Sequence, residues 1–147
     1  MSSGIEHQIE AFAEDFALLP DWEERYGHVI ALGKALPDLP AVERIEANRV
    51  RGCASQVWLV RDPDGPGGRL RFRADSDAHI VRGLLAMLLA IHSDRTPKEI
   101  LGVSGSDLIA RLGLADALTP QRSNGVASVL ARIRQEASAA LGGAANR

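Results

Sequence analysis

The chain holds one cysteine, Cys53, in the run Arg51-Gly52-Cys53-Ala54. A thiolate is both a nucleophile and a metal ligand, so having a single thiol limits the chemistry sharply. A structural zinc site usually takes four nitrogen or sulfur ligands, and an iron–sulfur cluster takes several thiolates. The histidines His7, His28, His79 and His92 are scattered, without ligand spacing. No metal site is therefore expected. A disulfide redox cycle within the chain lacks its resolving thiol. A cysteine hydrolase needs a histidine base beside the sulfur. No local signature supplies that base, although one of the histidines could approach in space. One thiol acting alone can still accept a group and pass it on. Thiol exchange asks only for a thiolate, an accessible sulfur and a good leaving group.

A free cysteine is more often a small buried hydrophobe than a reagent. Three features around Cys53 argue the other way. It falls in a turn, and turns lie at the surface and carry function. Arg49 and Arg51 place positive charge nearby, which favours a thiolate. Gly52, Ser55 and Gln56 offer donors to a sulfur anion. On the residues alone, the structural and chemical roles stand level.

The elements that must hold Cys53 are read from the periodicity around it. Ile5, Ile9, Phe12, Phe16 and Leu19 recur at steps of three and four, which predicts an amphipathic helix ended by Pro20. Asp21 and Glu24 form a capping-box pair that opens a second helix, with Trp22, Tyr26, Val29, Ile30 and Leu36 on its apolar face. Pro37 and Pro40 mark its exit. Glu43 to Val50 is expected as a short strand and Ser55 to Asp62 as another, with Gly52 allowing the sharp turn between them. Trp58 is expected in the core. Residues 62–68 form a loop. Arg69 to Ala74 alternates strictly, with Leu70, Phe72 and Ala74 inward and Arg69, Arg71 and Arg73 on a solvated face.

Beyond that strand the pattern is helical. Asp75, Ser76 and Asp77 offer caps for a helix carrying Ile80, Val81, Leu84, Leu85, Leu88 and Ile91. Thr96-Pro97-Lys98-Glu99 is a near-ideal helix start. Another helix carries Leu108, Ile109 and Leu112. Thr119-Pro120 opens the last, with Val126, Val129, Leu130 and Ile133 inward, and residues 142–147 are expected to fray. Strands segregated from helices predict one α+β domain over 1–147: a small antiparallel β-meander with helices on one face.

Composition fits this frame. The 147 residues suffice for one ordinary core. A net charge of −2 gives no field for a polyanion, so nucleic acid is a poor partner. The longest apolar run, Gly83 to Ile91, is too short to span a bilayer. The polar start lacks a secretory pattern. A cytoplasmic location is expected, where a free thiol stays reduced.

Four ordered blocks carry a family resemblance. They are Trp22-Glu23-Glu24-Arg25-Tyr26 through Pro37, Asn48 through Leu59 around Cys53, Ala74 through Ala86, and Leu112-Gly113-Leu114 with Leu118 through Gly125. Together they resemble the SufE family of cysteine desulfurase activators and sulfur acceptors. The resemblance implies a SufE/NifU-like fold. It also implies a partner desulfurase of the SufS or CsdA kind, whose pyridoxal phosphate (PLP) releases sulfur from free cysteine as a persulfide. Cys53 would take that sulfur and hand it to an iron–sulfur scaffold complex of the SufBCD kind. No cofactor is then expected on this chain.

Cys53 is accordingly the expected catalytic residue. Arg51, Gly52, Ser55, Gln56, Asp75, Asp77 and Arg122 are expected to support its loop or touch the partner. Arg122 stands where the helix dipole disfavours a cation, which marks it for contact outside the chain. Cys53 is expected to rest against apolar neighbours, with its thiol pKa raised by burial, and to swing out on docking. The rival readings are an allosteric activator that carries no sulfur, and a thiol-dependent hydrolase or redox sensor.

Overall fold

In the computed structural model, which describes residues 4–19, 21–53, 55–114 and 118–145, helix α1 (Gly4–Ala17) presents the apolar face expected of it. Ile5, Ile9, Phe12 and Phe16 are all buried. Pro20, expected to end it, lies outside the described residues, as does Ala54. Helix α2 (Trp22–Ala35) opens on Asp21, whose Oδ1 accepts the Glu24 N–H at 2.9 Å.

Helix α2 crosses α3 (His79–His92) at very short range because glycines meet there. A Cβ on Gly83 would fall 2.0 Å from the Val29 carbonyl oxygen, and one on Gly33 would fall 2.6 Å from the Gly83 nitrogen. No side chain larger than hydrogen fits at either position. The crossing turns α3 into the centre of the core, with Leu84, Leu85, Met87, Leu88 and Ile91 buried.

The sheet is one antiparallel pair, β1 (Val57–Asp62) and β2 (Arg71–Ser76), in register from Val57↔Ser76 to Asp62↔Arg71. Val57 and Leu59 face inward from β1, and Phe72 and Ala74 from β2; Leu70, bridged to Arg95, is also buried. The side-chain period of two therefore turns Trp58 to the outer face, where it is half-buried and outside the core.

The strand expected over Glu43–Val50 is reduced to a single bridge, Arg49↔Trp58, with the Val50 N–H donating to Val57 O at 2.8 Å. Two 3₁₀ turns, Ala41–Glu43 and Glu46–Asn48, take its place. Arg73 explains the difference. Its guanidinium holds Glu43 at 2.6 Å and Asp62 at 2.8 Å, which pins the first turn against the sheet. Asn48 Nδ2 donates to Glu43 O at 2.8 Å and tightens the segment further. The arginine row is thus paired as well as solvated, since Arg69 and Arg71 both approach Asp94.

Helix α3 begins after Ala78 with no side-chain cap, so the capping roles expected for Asp75 and Asp77 do not occur. Helix α4 (Pro97–Leu101) has the complete Thr96–Glu99 capping box. Helix α5 (Gly105–Arg111) is capped by Ser104. Helix α6 (Pro120–Ala145) runs past Gly142, where fraying is expected from the sequence, and residues 146–147 lie outside the described range. Val126, Val129, Leu130 and Ile133 of α6 close the core. The whole is an α+β fold.

Candidate functional site

Cys53 sits in the short connection between the Arg49–Trp58 bridge and β1. Gly52 makes that connection possible, because its φ of +89° lies in the left-handed region. A Cβ there would also fall 2.6 Å from Ser128 Oγ on α6. The turn therefore lies flat against α6 and places the next residue over it. Cys53 is half-buried, and its Sγ donates to the Gly125 carbonyl oxygen at 3.7 Å.

The sulfur borders a cavity of about 230 Å³. Val57 of β1, Val81, Leu84, Leu85 and Leu88 of α3, and Val126 and Val129 of α6 make its apolar walls. Ser55, Thr119, Gln121 and Arg122 supply the polar lining. Thr119, Gln121 and Arg122 are exposed, so the cavity opens to solvent beside the first turn of α6.

Burial pushes the Cys53 thiol above its ordinary value, and the positive charge of Arg49 pulls against that shift without cancelling it. Arg51 is turned away. Its exposed guanidinium pairs with Glu46. Of the two arginines flanking the turn, only Arg49 acts on the sulfur.

The base of the loop is latched from the other side. Asp77 Oδ1 accepts the Gln56 N–H at 3.0 Å, and the Asp77 N–H donates back to Gln56 O at 3.4 Å. Asp77 and Gln56 thus support the loop together from exposed positions. Asp75 lies elsewhere. It is 4% exposed, accepts the Leu39 N–H at 3.0 Å and its neighbour Ser76 N–H at 2.8 Å, and pairs with the Arg82 guanidinium. That burial keeps Asp75 away from any partner surface. Arg122 is exposed in the opening of the cavity, and its N–H donates to Thr119 Oγ1 at 3.3 Å.

The fold brings Cys53, Ser55 and Arg122 to one cavity, with Gly52 beneath and Gln56 and Asp77 at the loop's base. Three residues of the last family block that were not expected as site residues also belong there. Thr119 and Gln121 line the opening, and Gly125 carries the sulfur's hydrogen-bond acceptor. Gly125 ends the last of the family blocks, and a glycine inside a helical pattern is a second local signal that marks it. Among the described residues, no group of three or more His, Cys, Asp or Glu could hold a metal ion. Among them too, no helix is long and apolar enough to cross a membrane.

Comparison with known proteins gives a consistent result. The domain described as "SufE: Fe-S metabolism associated domain" matches residues 10–137. An uncharacterized SufE-like protein of Rhizobium etli is 47% identical over 133 residues, covering 88% of each chain. One of Rhizobium meliloti is 46% identical over 135 residues, covering 90% of this chain and 96% of that one. The solution structure of a hypothetical protein from Thermus thermophilus is similar with a TM-score of 0.72. It is 23% identical over 95% of this chain and 96% of that one, which speaks for the shared fold alone.

Proposed function

The chain belongs to the SufE family, with a role in iron–sulfur metabolism, and from that premise we propose that Cys53 accepts sulfur from a cysteine desulfurase. The observation that carries the reading is the placement of the thiol. Its Sγ rests between a short turn and α6, beside an apolar cavity open at one end.

That placement meets two opposed needs. A persulfide left in open solvent is lost to other thiols, so a carrier must shelter it. A carrier must also deliver its sulfur into a recessed site on another protein. A cysteine on a short loop, packed on α6 by one weak sulfur hydrogen bond, can be sheltered at rest and released on docking. The loop is anchored by backbone bonds at Val50 and Gln56, and release of Cys53 would require the Gly52 turn to lift from α6.

The transfer balances without an outside oxidant. The Cys53 thiolate attacks the outer sulfur of the partner's persulfide, R–S–SH. A new S–S bond forms at Cys53, the partner's S–S bond breaks, and its electron pair leaves with R–S⁻. Cys53 then carries –S–SH, which deprotonates and is passed to an iron–sulfur scaffold. The pyridoxal phosphate that first frees the sulfur belongs to the partner in this reading. Arg122, Gln121 and Asp77, exposed around the loop, are the residues proposed to meet the desulfurase.

The test is intact mass after mixing the protein with a cysteine desulfurase and free cysteine, without reductant. Added sulfur mass is expected on the wild-type chain and not on Cys53→Ser. Desulfurase stimulation that survives Cys53→Ser would instead mean an activator that carries nothing. Turnover or oxidation with no desulfurase present would mean a hydrolase or redox sensor.

A further inference from the structure

The cavity beside Cys53 is larger than one sulfur atom requires. It measures about 230 Å³. A water molecule claims roughly 30 Å³ of liquid, and a sulfur atom is of that order. Its walls include Val57, Leu84, Leu88 and Val129, which offer no hydrogen bonds. Sulfane sulfur suits such a space, because it is uncharged and polarizable. The terminal atom of a persulfide is anionic and does not suit it. Arg122, at the opening, is the cation available to that terminal atom.

We propose that Cys53 carries a short polysulfide chain, with its sulfane atoms in the apolar cavity and its charged end at the Arg122 opening. The proposal rests on the sulfur-carrier reading above and extends it from a single atom to a chain. Each further S–S bond adds about 2.05 Å and takes the charge farther from the buried root. Lengthening therefore relieves the desolvation that a thiolate suffers beside Gly125.

Growth uses the donor already invoked. The terminal sulfur of Cys53–S–S⁻ attacks the outer sulfur of a second R–S–SH. One S–S bond forms on the Cys53 chain and one breaks in the donor. The product is Cys53–S–S–SH, and the electron pair leaves with R–S⁻. Atoms and charge balance, and there is no net oxidation.

The experiment loads the full chain with a cysteine desulfurase and excess free cysteine, without reductant, then blocks one portion with iodoacetamide for intact mass and leaves the other unblocked for cyanolysis. Intact mass and cyanide-labile sulfur per chain are then read together. More than one added sulfur per chain is expected, all of it absent from Cys53→Ser. Val81→Phe and Ser55→Leu fill the cavity from half-buried positions. Both are expected to bring the mean count down to about one, since a packed interior leaves no room for the chain. A count that stops at one in the wild type overturns the proposal while leaving the carrier reading intact. Chains as long in both variants as in the wild type also overturn it. No added sulfur at all overturns the carrier reading itself.

Discussion

The Sγ of Cys53 lies 3.7 Å from the carbonyl oxygen of Gly125, so the sulfur at the loop rests on the second turn of α6. The contact is weak, and backbone geometry holds it in place more than the contact itself. Gly52 sets that geometry, with a φ of +89° and Ser128 Oγ where a Cβ would stand. Gly52→Ala is therefore expected to lift the turn from α6. The left-handed conformation alone costs a non-glycine residue about 1–2 kcal/mol. Urea unfolding should show a loss of that order, and iodoacetamide should modify Cys53 faster than in the wild type. A Gly52→Ala protein with unchanged stability and unchanged alkylation would contradict this account of the turn.

Asp77 latches the opposite side of the loop through the Gln56 N–H. Both residues are exposed, so the bond adds little to global stability, at most about 1 kcal/mol. Its effect is local. Asp77→Ala should leave the urea midpoint nearly unchanged while speeding hydrogen exchange at Gln56 and alkylation at Cys53. Asp77→Asn keeps an acceptor oxygen and should fall between the two. Equal exchange rates in all three proteins would remove Asp77 from any part in holding the loop.

Burial sets the pH response of the thiol. Cys53 is pushed above its ordinary value by desolvation, and Arg49 opposes this with the smaller effect. The folded chain thus holds the proton more tightly than the unfolded chain does. The stability this contributes is complete below the unfolded thiol's pKa, about 8.5, and is lost as pH rises through the folded value. Alkylation of the native protein should show a midpoint above that of the urea-unfolded chain. Arg49→Gln removes the opposing charge and should move the midpoint higher still. A native midpoint at or below the unfolded one would refute the argument.

Local patterns were the legible part of this fold. The α1 face from Ile5 to Phe16 and the Thr96–Glu99 box each depend on residues within a turn or two, and the inward face of Leu70, Phe72 and Ala74 follows from strict alternation; these are found as read, while Leu19, expected on the α1 face, falls beyond the helix end at Ala17. One failure is local, since strand alternation between Val57 and Leu59 turns Trp58 out of the core, but others involve partners distant in sequence. Glu43–Val50 reads as a strand until Arg73, thirty residues on, takes the Glu43 carboxylate. Asp75 and Asp77 read as caps because acids before a helix usually are. Their acceptor oxygens instead go to Leu39 and Gln56, 36 and 21 residues away. Cys53 itself was legible as a motif. Its cavity was not, because α6 supplies one wall and the sulfur's acceptor there, Gly125, is 72 residues away.

Arg82 is the charge that the apolar run Ile80 to Leu85 conceals, and its pairing yields the largest stability prediction. Its side chain is 14% exposed and pairs with Asp75, whose side chain is 5% exposed. The same guanidinium donates to Leu36 O at 2.5 Å and to Gly33 O at 3.3 Å, which satisfies carbonyls at the end of α2. Asp75 in turn accepts from Leu39. One buried pair thus ties α2, the following segment and α3 together. Arg82 also reaches the exposed Asp38 at 3.1 Å, but removing Arg82 leaves the Asp75 carboxylate buried without its counter-charge, a loss of about 3–5 kcal/mol. Arg82→Met should show a loss of that size in urea unfolding. Adding Asp75→Asn should recover part of it, since the stranded carboxylate is then gone, while the Leu36 carbonyl, which has lost its guanidinium donor, keeps the recovery incomplete. An Arg82→Met protein within about 1 kcal/mol of wild type would place this pair among ordinary surface bridges. A double variant no more stable than Arg82→Met alone would mean that the helix-end carbonyls, and not the carboxylate, are what Arg82 chiefly serves.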